Sequence, residues 1–92
     1  MILSFRDRAV EALFQEGRHK KFGSIASAGL RRLAALNAAV DLEALRFPPS
    51  NRLEALRGDR AGQHSIRIND QYHICFRWTK AGAEDVEIVD YH

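Results

Sequence analysis

Asp90, Tyr91 and His92 place a carboxylate, a phenol and an imidazole in three consecutive positions at the end of the sequence. Upstream, His73, Arg67 and Arg77 are set singly among apolar residues. Histidine transfers protons near neutral pH, and the arginine fork matches phosphate oxygens. Cleaving an RNA strand without a metal needs a base for the ribose 2′-OH, cations around the crowded phosphorane and an acid for the departing 5′-oxygen, and these residue types can supply all three. As the last residue, His92 would carry a free carboxylate beside its imidazole, with Asp90 two positions back. Both anions favour the imidazolium. The bland alternative is a frayed, inert terminus.

The elements that must position these groups are readable from periodicity. Tyr72, Ile74, Phe76 and Trp78 alternate with His73, Cys75 and Arg77, so one side of this strand is aromatic and the other polar. If the aromatic side packs into the core, His73 and Arg77 emerge on an open face, where Arg67 can join them from the preceding strand. Clustered cations repel one another, so a polyanion would neutralise them, unless Glu87 or Asp90 pairs with Arg67 and Arg77 across the sheet.

Ahead of the strands, residues 2–5 read as a short strand. Asp7 is an N-cap, and Val10, Leu13 and Phe14 form a helical stripe that Gly17 stops. Ser24 is expected to cap a longer helix whose stripe is Ile25, Gly29, Leu33, Leu36 and Val40, with Arg31 and Arg32 on its flanks. Residues 42–50 form a connector closed by Pro48 and Pro49, which bias Phe47 to an extended backbone. Residues 53–56 suit a strand or a helical turn. Asn69-Asp70-Gln71 and Lys80-Ala81-Gly82 are the expected turns, and a last strand begins near Val86. Short strands joined by tight turns make a mainly antiparallel sheet, and the two helices must bury their stripes on one face of it.

Ninety-two residues make one domain. A chain of this size buries only about 60 to 65% of its unfolded surface, so a bound partner could add much to its stability. The net charge is +2, and its distribution says more than its size. Arg18, Lys20, Lys21, Arg31 and Arg32 occupy residues 17–40 without an acid, whereas Glu84, Asp85, Glu87 and Asp90 crowd the end. This predicts a basic side suited to phosphate, or an ordinary solvated helix face. The single Cys75 cannot form an internal disulfide and fits a reducing cytoplasm. The first residues lack a signal-peptide core, and no stretch reaches the ~20 apolar residues of a membrane span.

Gly58-Asp59-Arg60, Ser65-Ile66-Arg67-Ile68-Asn69, Ile74-Cys75-Phe76-Arg77-Trp78 and Asp90-Tyr91-His92 together resemble the HigB branch of the RelE-type toxins. These are small ribonucleases that cleave mRNA and are held inactive by an antitoxin. The resemblance covers nearly the whole chain as a single toxin domain, residues 1–92, and is most specific over residues 53–92. It implies an α+β RelE-like microbial ribonuclease fold, with two N-terminal helices on one face of a small twisted sheet. It further implies a cytoplasmic type II toxin that inhibits translation and growth as a metal-independent endoribonuclease, without a cofactor, on mRNA in the ribosomal 30S A site. The implied partner is a HigA-like helix-turn-helix antitoxin, through which alone operator DNA is contacted.

Carried over to this sequence, the resemblance has Asp90 orient or polarise, Tyr91 stack on or hydrogen-bond the nucleotide, and His92 transfer a proton. Arg57 and Arg60, with Arg67 and Arg77, bind phosphate. Two positions depart from the pattern. Glu54 stands where some relatives have a histidine, so the proton-transfer pair would be Glu54 and His92. His73 stands where many have an arginine, which either weakens transition-state stabilisation or makes His73 itself a proton-transfer residue. The rival reading is a non-catalytic homologue that binds RNA or the antitoxin without cleaving. A metal centre built from His64, His73 and His92 is a third, unsupported by tight ligand spacing such as H-x₃-H.

Overall fold

The computed structural model describes residues 1–90. Helix α1 (Arg8–Glu16) begins where Asp7 accepts a hydrogen bond from the Ala9 amide and ends at Gly17, in the left-handed region at φ 81°. Both signals were legible in the residue types. Helix α2 (Ala26–Ala38) departs from expectation at each end. A single 3₁₀ turn (Gly23–Ile25) leads into it, and no side chain caps it, so Ser24 is not an N-cap. Gly29, Leu33 and Leu36 are buried as the stripe requires, but Val40 lies past the last turn and is 90% exposed.

Four strands follow, β1 (Glu54–Ala55), β2 (His64–Arg67), β3 (Tyr72–Thr79) and β4 (Gly82–Asp90), paired antiparallel in chain order. The first is the strand rather than the helical turn, though only two residues long. The expected β2–β3 turn is held by Asn69, whose side-chain oxygen accepts from the amides of Gln71 and Tyr72. Residues 2–5 lie parallel to β4 through two bridges, Ile2 to Ala83 and Phe5 to Val86. The close approach of this arm requires glycine at position 82, where φ is +144° and a Cβ would sit 2.1 Å from the Met1 carbonyl oxygen.

Both helices pack on one face of the sheet, α2 against β3 and β4 and α1 against β4. Leu13, Leu33, Leu36, Ile66, Ile74, Phe76 and Val86 form the core between the layers. The connector of residues 42–52 closes the end of that core through Asn51, which is fully buried. Arg32 of α2 donates to Asn51 Oδ1 at 2.6 Å, and Asn51 Nδ2 donates to the carbonyls of Leu45 and Phe47, both at 3.1 Å. No helix among the described residues is long and apolar enough to cross a membrane.

Candidate active site

The sheet face turned away from the helices carries the candidate site, because side chains alternate between faces along each strand and align across them. Glu54, Ser65, Cys75 and Glu87 fall opposite one another on β1 to β4 and form one row. The next row, toward the end of β4, contains Arg67 opposite His73 and His73 opposite Val89. Thus the predicted open face exists, and Arg67 and His73 are direct cross-strand neighbours.

His73 is the group whose chemistry this environment changes. Partial burial lowers its pKa below the ordinary value of 6.5, the Glu54 carboxylate works in the opposite direction, and the Arg67 guanidinium lowers it further. The net direction favours a neutral imidazole at physiological pH. Such a ring can accept a proton but cannot serve as the fixed cation that arginine would be at this position. Substituting Glu54→Gln is expected to lower the His73 pKa further, and Arg67→Gln to raise it. Imidazole chemical shifts followed through a pH titration measure both; identical titrations in all three chains would disconnect these groups.

The arginines of this face are held by acids other than the expected ones. Arg67 pairs with Asp70 in the adjoining turn, and Arg77 approaches Asp85 at 3.9 Å. Asp85 lies in a one-residue slip of the β3–β4 register and has φ 54°, a bulge that turns its side chain toward Arg77. Glu87 instead receives Arg60, whose Nη1 lies 3.1 Å from Glu87 Oε2 and 3.0 Å from Gln63 Oε1. Arg60 reaches Glu87 from the turn ahead of β2 (Gly58–Arg60), and the row between them holds the buried Ser65 and Cys75. Cys75 is therefore an inaccessible residue of the open-face row. The Arg77–Asp85 pair is about half-exposed on both sides, and such a pair contributes about 0–1 kcal/mol, so a phosphate can compete for Arg77.

Arg57 is exposed beside the same turn; its carbonyl accepts from the Arg60 amide at 3.2 Å, and its side chain makes no hydrogen bond or ion pair among the described residues. Asp90 stands opposite Tyr72, one position from the His73–Val89 pair, and accepts a hydrogen bond from Gln71 Nε2 at 3.0 Å. β4 thus ends at the end of the sheet that carries His73 and Arg67, but alternation turns the Asp90 side chain to the side of Tyr72, the face opposite theirs. Tyr91 and His92 lie outside the described residues. His64 takes no part in this face: its alternation with Ser65 sends it to the helix side, where it stacks on Phe76 with centroids 6.3 Å apart. A single metal centre holding both His64 and His73 is ruled out by their opposite faces.

The basic run of residues 17–40 also falls elsewhere. Arg18 and Lys20 line a cleft with Glu16, His19, Gly23 and Ala26 at the α1–α2 corner, in the helical layer. Charge that is segregated along the sequence is therefore divided between two sides of the molecule. Sequence reading missed Gln63 and Gln71 as partners of Arg60 and Asp90. Their only signal was a polar residue directly before a strand.

A family model described as the RelE-like toxin HigB of type II toxin–antitoxin systems matches residues 3–92. Toxin HigB-1 of Vibrio cholerae is 39% identical over 80 residues, which cover 85% of this chain and 84% of that protein. An uncharacterised Haemophilus influenzae protein is 34% identical over 76 residues, covering 80% and 75%. Among solved structures, the YoeB–YefM complex from Staphylococcus aureus contains a chain with a TM-score of 0.63 at 17% identity, over 100% of this chain and 95% of that one. That likeness concerns the fold.

Proposed function

This chain belongs to the HigB-like, RelE-like toxins of type II toxin–antitoxin systems, and from that membership we propose that it is a metal-independent endoribonuclease that cleaves mRNA on the translating ribosome. The observation that carries the proposal is the Glu54, His73 and Arg67 group on the open face, where a lowered histidine pKa is set between a carboxylate and a guanidinium. His73 accepts the 2′-OH proton, and Glu54 stabilises the imidazolium that results. The 2′-oxygen attacks phosphorus, the bond to the 5′-oxygen breaks, and the products are a 2′,3′-cyclic phosphate and a 5′-hydroxyl. Arg67, with Arg57 and Arg77, offsets charge on the phosphorane. By the family resemblance, Asp90 orients, Tyr91 stacks on a base and His92 protonates the leaving oxygen.

Within this reading the antitoxin is a HigA-like helix-turn-helix protein that silences the toxin in the cytoplasm and contacts operator DNA itself. The basic cleft at the α1–α2 corner offers it a surface separate from the open face. A neighbour of the same fold solved in a two-protein complex accords with such a partner.

Inducing the full chain in bacteria without a C-terminal tag, while mapping mRNA 5′ ends and growth, tests the proposal. Growth arrest with new in-frame 5′ ends is expected. A folded chain that creates no new ends would instead be a homologue that binds RNA or the antitoxin without cleaving.

A further inference from the structure

We propose that Arg6 forms, beside Glu87, an additional phosphate-binding position for single-stranded RNA, remote from the Glu54, His73 and Arg67 group; this rests on the ribonuclease reading. Arg6 follows the N-terminal arm, whose place is set by backbone hydrogen bonds: Arg6 donates its amide to the Val86 carbonyl at 3.0 Å, and Val86 donates to the Ser4 carbonyl at 3.1 Å. Ser4 also accepts from the amide of Asp85 in the bulge. Phe5 bridges to Val86 and turns into the core against Phe14. Alternation then sends Arg6 to the open face, next to Glu87.

Two guanidinium groups meet one carboxylate there. Glu87 Oε2 lies 3.1 Å from Arg60 Nη1 and 3.7 Å from Arg6 Nη1. The Arg6 contact is too long for a hydrogen bond, and its side chain is 62% exposed against 16% for Glu87. Arg60 holds Glu87 by the shorter, hydrogen-bonded contact, and Arg6 is the outward, weakly held guanidinium beside it. It extends the basic face by three strand spacings from Arg67 on β2, roughly 14 Å. A phosphate bound there is away from the reacting one, so it strengthens binding in ground and transition states alike.

The test uses the full chain and a 2′-O-methyl single-stranded RNA, which cannot be cleaved, with affinity measured by fluorescence anisotropy from low to moderate salt. Arg6→Gln is expected to weaken binding about threefold and to reduce the slope of log affinity on log salt by about 0.7, the counterion release of one single-strand phosphate contact. Arg6→Lys restores the slope. Arg46→Gln, which removes the same charge from the connector, leaves it unchanged. If wild type binds and Arg6→Gln keeps the full slope while lowering only the melting temperature, Arg6 merely supports Glu87 and the proposal fails alone. An Arg46→Gln loss equal to that of Arg6→Gln overturns it as well, by reducing the effect to net charge. If wild type does not bind the RNA at any salt, this proposal falls, while the ribonuclease reading is decided separately by the mapped mRNA 5′ ends.

Discussion

Cleavage of mRNA is expected to fall by about 10² to 10⁴-fold when His73 is replaced by glutamine, the range over which a positioned general base contributes to a proton-transfer step. The basis is the lowered pKa: desolvation first, with Arg67 acting in the same direction, outweighs the pull of Glu54. A base must be neutral to act, so wild-type activity should persist as pH falls through 6.5 and be lost only at the lower, native pKa of His73. Substituting His73→Arg separates the two enzymatic readings. A cation there cannot accept a proton, so its cleavage should be as slow as that of His73→Gln, with the acid limb due to His73 gone. If His73→Arg is instead faster than wild type, then Glu54 is the base and His73 an imperfect substitute for arginine. Single-turnover cleavage on programmed ribosomes, followed from pH 5 to pH 8, would distinguish these outcomes. Ribosome binding measured in parallel isolates chemistry from affinity.

Replacing Asn51 with leucine should cost about 2–4 kcal/mol, because it removes one acceptor and two donors from a fully buried position and leaves their partners unmatched. Against a total stability of about 5–14 kcal/mol for 92 residues, that is a large share. A domain of this size loses roughly 4–8 °C of melting temperature per kcal/mol, so a fall of about 10–25 °C is expected by calorimetry. An unchanged melting temperature would mean that water replaces these bonds without cost. Asn51 lies three residues before Glu54, so the loosened connector should also impair cleavage below the melting transition. A tightly binding antitoxin should return much of the lost melting temperature by mass action.

Where the controlling interactions are local, the sequence was a sufficient guide. Asp7 and Gly17 bound α1 through hydrogen bonds and a backbone conformation that involve a few neighbouring residues. The alternation from Tyr72 to Trp78 assigns His73 and Arg77 to the polar side of β3 by its period alone. The cap of α2 was misread because a serine before an apolar stripe can also sit in a 3₁₀ turn, and the choice depends on how Phe22 and Ile25 reach the core.

What the residues determined by themselves is the set of elements, the face each side chain takes within its strand, and the chemical inventory: a histidine, carboxylates and arginines suited to an RNA phosphate. Tertiary structure alone decided which of these meet. The pairing of Glu54 with Ser65, and of Arg67 with His73, is a matter of register between strands, and a one-residue slip would have moved each group to the other face. The bulge at Asp85 is such a slip, and it leaves Glu87 to Arg60, 27 residues away, and to Arg6 from the first strand-like segment. Charge partners are chosen by distances in the folded sheet, on which spacing along the chain has no hold, and so the same arginines that composition announces are bound by carboxylates that only the fold could assign.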